Sequence, residues 1–527
     1  MREKALQQLA GKEYDLVIVG CGAYGAFAAE DAALRGLSVA VIDKGDFCGA
    51  TSANSLKIIH GGVRYLQNAD IIRTRESTME RYNFFRMAPH LVHPISCIMP
   101  TRTRFMRSKP AMKIGMILND ILSCDRNQNM DSDKRIPCGR IVSKQKFDEI
   151  VPGLTSDDIT GGAIWHDAYA WNTERLIIGA VRSAVGAGAD AANYVEMTSL
   201  IRKEKKVSGV NVRDVMTGEE FSIKARMVIN NTGPFTIIKP PADDITKPEG
   251  GISLAINVII KKQLIKDYGA GLSYKVSDEN KERLFFFVPW HDVTLAGTYY
   301  RAQKTSKAFP TITDEDIDAL INDLNAAYPP AQITRDDITM LHAGMLPTQQ
   351  ITTAGKRDPD LMMHYQLLDH QAIDNIEGII TVLGVKYTTA RNVAEKTINL
   401  ACKKLDISPR LPRSAQTPLP GGNIDDFEKF MKEGLEQGIS RQMLYNFGSE
   451  YTKVLELGNE NPELLKPLSN STPVTGAEAV YSVREELAET LSDIVFRRTD
   501  LGALGIPDNE ALVNCASFVA KRKRLVC

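Results

Sequence analysis

DLVIVGCGAYGAFAAEDAALRGLSVAVID, residues 15–43, is the stretch on which the fold turns. Asp15 to Val19 is an apolar run of strand length, and Gly20, Gly22 and Gly25 follow in G-x-G-x-x-G spacing ahead of an alanine-rich helical stretch, Ala26 to Arg35. Glycines at those positions make the tight turn, let the backbone approach a pyrophosphate and let helix pack closely on strand, so that the helix N-terminus faces phosphate. Gly36 ends the helix, Leu37 to Ile42 reads as a second strand, and Asp43 follows it, 18 positions beyond Gly25, where a carboxylate accepts hydrogen bonds from a ribose. Strand, glycines, helix, strand and acid in register predict a dinucleotide site, which the glycines alone would not.

Working outward, Gly49 to Ser55 (GATSANS) is small and hydroxyl-rich, and its Thr51, Ser52 and Ser55 suit phosphate and ribityl oxygens. The next residues, Lys57 to Leu66 (KIIHGGVRYL), set His60, Arg64 and Tyr65 around Gly61 and Gly62. Two adjacent glycines give up backbone order, a cost that a backbone passing close to a flat ligand explains. Far downstream, Ile380 to Arg391 (ITVLGVKYTTAR) reads as a strand turning into a helix, with Gly384, Lys386 and Thr388 at the turn.

These motifs resemble the FAD-dependent glycerol-3-phosphate dehydrogenases, a branch of the D-amino-acid-oxidase-like flavoproteins, whose motif is close to G-T-S-x-x-S-x-K-L-I-H-G-G-x-R-Y-L. The resemblance continues through Asn230 to Phe235 (NNTGPF), Val288 to Thr298 (VPWHDVTLAGT), Leu383 to Arg391 (LGVKYTTAR) and Ala477 to Thr499. It implies an α/β chain: a Rossmann-like FAD-binding domain interleaved with an antiparallel-sheet substrate domain, plus a C-terminal α-helical domain. The expected division is 1–100, 151–250 and 366–407 for the FAD-binding domain and 101–150 and 251–365 for the substrate domain. Residues 408–423, rich in proline and glycine, read as a linker, and 424–527 as the helical domain.

The same resemblance implies a bound FAD and oxidation of the secondary alcohol of a small polyol phosphate or polyol by hydride transfer to the flavin. Electrons would pass to quinone or another acceptor. His60 is the expected general base, Lys386 the positive charge beside the reduced ring, and Arg64 and Tyr65 substrate ligands. Lys44, Met197, Thr232 and Gly233 join the glycines, Asp43 and the 51–55 hydroxyls as cofactor contacts, and His342 is counted with the substrate pocket. The chain also departs from the family. Leu346 stands where a G-x-R-P turn carries arginine, His364 replaces a second arginine 22 residues before Lys386, and Asn257 replaces a histidine of the covering strand. A neutral side chain does not reproduce bidentate phosphate binding by guanidinium. The substrate is therefore left open between a polyol phosphate held differently, with Arg357 taking over one role, and an uncharged polyol or hydroxy acid. Amine oxidation, or a flavin-fold binding protein whose catalysis has lapsed, stands as the alternative.

Composition bounds the rest. At 527 residues the chain exceeds one ordinary domain, and a formal charge of −1 gives no global pull toward nucleic acid. No apolar run approaches the ~20 residues that span a bilayer. Met1 to Glu13 lacks the apolar core of an export signal, and the eight cysteines are scattered without a C-x-x-C pair, which favours reduced thiols in the cytoplasm and no metal framework. Thr101 to Lys113 (TRTRFMRSKPAMK) alternates basic with apolar residues, which reads either as a solvated loop or as peripheral contact with the inner face of a membrane. A homodimer is compatible with all of this.

Overall fold

The computed structural model describes residues 2–62, 70–238, 241–276, 281–303, 311–408 and 410–520. Two large sheets organise the chain up to residue 405. The first has eight strands, six of them in the order Gln366–Asp369, Ile379–Leu383, Glu220–Asn230, Glu13–Val19, Val39–Ile42 and Asp190–Ala192, with Lys206–Asp214 antiparallel on Glu220–Asn230 and Val195–Lys203 antiparallel on Lys206–Asp214. Its centre is parallel, with Leu16 opposite Val39 on one side and Met227 on the other. Strands covered on both faces must be apolar throughout, and Val39–Ile42 and Ile379–Leu383 are buried at every position.

On one face of this sheet lies the helix Ala23–Leu34, packed between the helices Thr173–Gly186 and Ala390–Leu405. The alanines 26, 28, 29, 32 and 33 keep its surface thin enough to fit between two neighbours, and all five are buried. Gly20 is in the left-handed region (φ +92), and a Cβ there would lie 2.6 Å from the Asn231 carbonyl oxygen, so only glycine makes this turn.

The second sheet has nine strands: Ile338–Pro347, Ile252–Ile260, Val293–Gln303, Glu282–Trp290, Tyr268–Lys275, Val92–Arg102, Ile159–Ala170 and Ile58–Ile59 in that order, with Arg140–Ser143 pairing on Ile159–Ala170. The boundaries drawn from the sequence need correcting in one respect. Val92–Arg102 and Ile159–Ala170 pair with each other and belong to this sheet, whereas 1–100 and 151–250 had been given whole to the nucleotide unit. One face carries Leu254, Ile256, Val258, Phe285, Phe287 and Tyr299 against the helix Asp314–Ala327. Alternation turns Asn257 and Phe286 to the opposite face, toward residues 51–60.

Beyond the second sheet, residues 427–520 form short helices and a two-stranded hairpin around two small cores. The proline- and glycine-rich connection before them is not a free tether. Leu419 is buried and donates its N–H to the Met87 carbonyl at 2.8 Å, and Ser414 bonds Asp31 at 2.8 Å.

Candidate active site

Three loops meet where the two sheets adjoin. The first is the glycine turn. Gly22 caps the helix Ala23–Leu34, and the Ala23 N–H donates to Ser52 Oγ at 3.0 Å. Asp43 Oδ2 accepts from Cys21 N at 2.7 Å and Oδ1 from Gly45 N at 3.0 Å, fixing the acid at the end of its strand. Burial pushes this carboxyl up to about 6. Val195 N donates to the Asp43 carbonyl at 2.7 Å, which brings Met197 and its strand alongside, and Lys44 lies 4.2 Å from the Phe235 ring. Thr232 closes the turn by donating to Asn230 Oδ1 at 2.9 Å, ahead of Gly233 at φ +62.

The second loop, residues 49–56, is clipped to the second sheet. Thr51 Oγ1 accepts from Met345 N at 3.0 Å and bonds the Met345 carbonyl at 3.1 Å, and a Cβ on Gly344 would press into Thr51. Ser55 Oγ accepts from Lys57 N at 3.2 Å. Asn257 donates to the Asn54 carbonyl at 3.2 Å and accepts from Thr298 at 2.7 Å. His342 stands opposite Asn257 on the neighbouring strand, and burial pushes it down to about 3. The buried Nδ1 of His342 and Nδ2 of Asn231 have no hydrogen-bond partner among the described residues.

At the third loop His60 and Lys386 come together. His60 N donates to Thr388 Oγ1 at 3.2 Å, tying the HGG turn to the Lys386 turn. Tyr24 reaches across from the first loop, donating to the Lys386 carbonyl at 2.7 Å and accepting from Lys386 N at 3.1 Å. A Cβ on Gly384 would run into the Tyr24 ring. Lys386 Nζ donates to Ser77 Oγ at 2.7 Å, and burial, with Arg73 next, pushes the ammonium down to about 7. His60 Nδ1 stands 3.7 Å from Asp167 Oδ2, and its ring centroid 6.0 Å from that of Phe286. Gly61 has no room for a side chain because Arg81 fills that space, and Gly62 is left-handed at φ +92.

The comparisons with known proteins agree with this geometry. The family model for FAD dependent oxidoreductases matches residues 15–369, and that for the C-terminal domain of alpha-glycerophosphate oxidase matches 412–524. A glycerol-3-phosphate dehydrogenase of Synechocystis sp. is 31% identical over 93% of this chain and 89% of its own length. The chain belongs to the FAD-dependent glycerol-3-phosphate dehydrogenase family.

The mitochondrial glycerol-3-phosphate dehydrogenase of Homo sapiens is 30% identical over 94% of this chain and 68% of its own length. In fold, the chain matches a glycerol-3-phosphate dehydrogenase from Bacillus halodurans complexed with FAD, at a TM-score of 0.74 and 22% identity over 100% of this chain and 94% of that one. This family member is thus an FAD-dependent oxidoreductase of the mixed α/β kind with a helical C-terminal domain. Its residues fit the cofactor: a glycine turn whose Gly22 position is obstructed only by Ser52, a helix N-terminus behind the turn, and buried polar atoms on Asn231 and His342 still to be satisfied.

Of the residues expected at the site, the structure brings together Gly20, Gly22, Gly25, Asp43, Ser52, Thr232 and Gly233 at one end and His60, Gly61, Gly62, Lys386 and Thr388 at the other. Arg64 and Tyr65 lie outside the described residues. His364 is 65% exposed, with Nε2 3.7 Å from Asp70 at the N-terminus of the helix Ile71–Met87, two turns before Ser77. Arg357 is a correction. It bonds Asp323 of the helix Asp314–Ala327 at 2.5 Å and stacks 3.9 Å from the Tyr299 ring, so it belongs to the helix-covered face of the second sheet and not to the face that meets His60. Sequence reading missed Asp167, Arg81, Ser77 and Tyr24. The available signal was Asp167 itself, the one carboxylate in the strand Ile159–Ala170.

Proposed function

We propose that this protein oxidises the secondary alcohol of a small polyol phosphate or polyol, glycerol 3-phosphate being the member of that class that its relatives are named for. The observation that carries the reading is the convergence of His60 and Lys386 on one turn, the imidazole backed by Asp167 and the lysine held by Ser77. FAD when bound supplies the hydride acceptor. His60, whose ring is partly exposed, takes the hydroxyl proton, and Lys386 sets positive charge where negative charge develops. The hydroxyls and glycines of residues 49–62 hold the backbone close without side-chain obstruction. The experiment is anaerobic mixing of the yellow protein with glycerol 3-phosphate, glycerol, glycerate and small amines, followed by flavin absorbance. Bleaching by a polyol or its phosphate is expected. Bleaching by amines alone would overturn the reading.

The electron acceptor belongs to the same proposal: a quinone reached from a lipid surface. No helix among the described residues is long and apolar enough to cross a membrane. The helix Lys109–Leu122, however, turns Ile114, Ile117, Leu118 and Ile121 outward, a stripe at helical spacing, and buries only Met116. Beside it Phe105 is 83% exposed, among Arg104, Lys109 and Lys113. An apolar stripe rimmed by cations is the build of an interfacial helix. Co-sedimentation with anionic vesicles is expected, with loss in Ile117→Glu/Ile121→Glu; equal sedimentation of both proteins would remove the membrane from the proposal.

A further inference from the structure

We propose that Asp167 is the positioning residue for His60: a buried carboxylate that faces the imidazole at Nδ1 and orients it, leaving Nε2 as the nitrogen that meets the substrate. The inference rests on the reading of His60 as the base.

The two oxygens of Asp167 do different work. Oδ1 accepts from Gly61 N at 2.5 Å and from Arg81 Nη1 at 2.9 Å, which fixes the carboxylate beneath the HGG turn. Oδ2 accepts from Trp165 Nε1 at 2.9 Å and presents its remaining lone pair to His60 Nδ1 at 3.7 Å, a charge contact rather than a hydrogen bond. Burial works against ionisation of this acid, yet His60, Arg81 and the Gly61 N–H together hold it well below the usual carboxylate range. It is a permanent negative charge at neutral pH.

That carboxylate lies in a cluster of charged groups around the turn. Among the described residues, Arg81 comes from the helix Ile71–Met87 to pair with Asp167, and Lys386 stands on the turn whose Thr388 accepts from His60 N, with Arg73, Arg81, Asp167 and Glu76 acting on the lysine electrostatically. Thr388 and Phe286 are uncharged. The carboxylate also selects the tautomer, since an ionised oxygen beside Nδ1 favours the proton on that nitrogen and keeps Nε2 free to accept.

The test reads His60 directly, apart from turnover. Carbethoxylation by diethylpyrocarbonate consumes neutral imidazole, so its rate at each histidine against pH, resolved by peptide mass spectrometry on the FAD-loaded protein, gives an ionisation midpoint for His60. Exposed His364 is the internal control. In Asp167→Asn the His60 midpoint is expected to fall by about one pH unit or more. In Trp165→Phe, which frees Oδ2 of its competing donor, it is expected to rise. His364 stays where it was in both. An unmoved His60 midpoint overturns the proposal, and Trp165→Phe decides it if Asp167→Asn does not fold. A moved midpoint in a protein that no polyol bleaches would keep the positioning role and reject the proposed function.

Discussion

Lys386 stands where two demands oppose each other. Burial and Arg73 press it toward the neutral amine, at about 7, while the chemistry asks it for charge. Lys386→Met is expected to keep FAD, because the amine bonds Ser77 and the turn itself is held through backbone atoms by Tyr24. Anaerobic stopped-flow should then show flavin reduction slowed on the order of a hundredfold, the usual cost of one preorganised donor; an unchanged rate would place the lysine outside the chemistry. Leu346 and His364 pose the converse case. Leu346 pairs with Ser253, two positions along the strand from Gly344, so alternation turns it to the Thr51 side. Without either guanidinium, glycerol 3-phosphate should show poor kcat/KM. Leu346→Arg with His364→Arg should raise it, each charged hydrogen bond being worth on the order of 1.5 to 3 kcal/mol. Efficient wild-type turnover with no gain in the double mutant would mean that another cation holds the phosphate. His60 and Lys386 were legible as sequence because they stand in glycine-punctuated motifs. Asp167 and Arg81 were not, because they act by burial beneath a turn that belongs to another part of the chain.

Elements were legible where one short-range rule decides them. Parallel strands covered on both faces read as apolar runs, and the glycine turn between Val19 and Ala23 needs a left-handed Gly20; both appear as expected. Sheet membership was not legible for Val92–Arg102 and Ile159–Ala170, since an apolar strand looks alike in either sheet and its partners are distant. Arg357 failed for a related reason: which face a residue takes depends on register, and one step reverses it. The glycine turn also gives a clean separation of cofactor binding from folding. Gly22 has φ −76 and ψ −167, which any residue adopts, and a Cβ there meets only Ser52 Oγ at 3.0 Å. Gly22→Val should therefore fold, with far-ultraviolet circular dichroism unchanged, and purify colourless, because the branched side chain occupies the approach to the helix N-terminus. A stoichiometric yellow variant would refute the placement of the pyrophosphate.

Across the whole molecule, buried ionisable groups set the pH of greatest stability. Burial pushes Glu30 up to about 8 and Glu478 to about 7, against 4.5 for an ordinary glutamate, so above about 4.5 the fold keeps protons that the unfolded chain has released, and stability falls as pH rises toward 8. Burial pushes His90 and His342 down to about 3 and His166 to about 4, against 6.5, so below about 6.5 the unfolded chain takes protons the fold refuses, and stability falls again. Tm of the apoprotein should peak between about 4.5 and 6.5, and Glu30→Gln should flatten the alkaline limb; a limb of unchanged slope would exclude Glu30 as its source. The second whole-molecule feature is the seam between the helical domain and the nucleotide loop. Arg498, wholly buried, grips Asp46 with two nitrogens at 2.7 and 2.8 Å, three residues beyond Asp43, while Arg497 and Asn193 bond the same carboxylate. Removing Arg498 leaves the buried Asp46 with Arg497 and Asn193 but without its bidentate partner, at a cost of about 1.5 to 3 kcal/mol by the worth of charged hydrogen bonds. Arg498→Met should lower Tm and also release FAD on gel filtration, because the loop that loses its anchor is the one that carries Asp43. Arg182→Met supplies the contrast: it breaks the Arg182–Glu450 pair, 2.6 Å, on the same seam but away from the loop. It should cost stability and keep the cofactor. If both variants shed FAD equally, general loosening of the seam, and not the Asp46 anchor, would be what holds the nucleotide end in place.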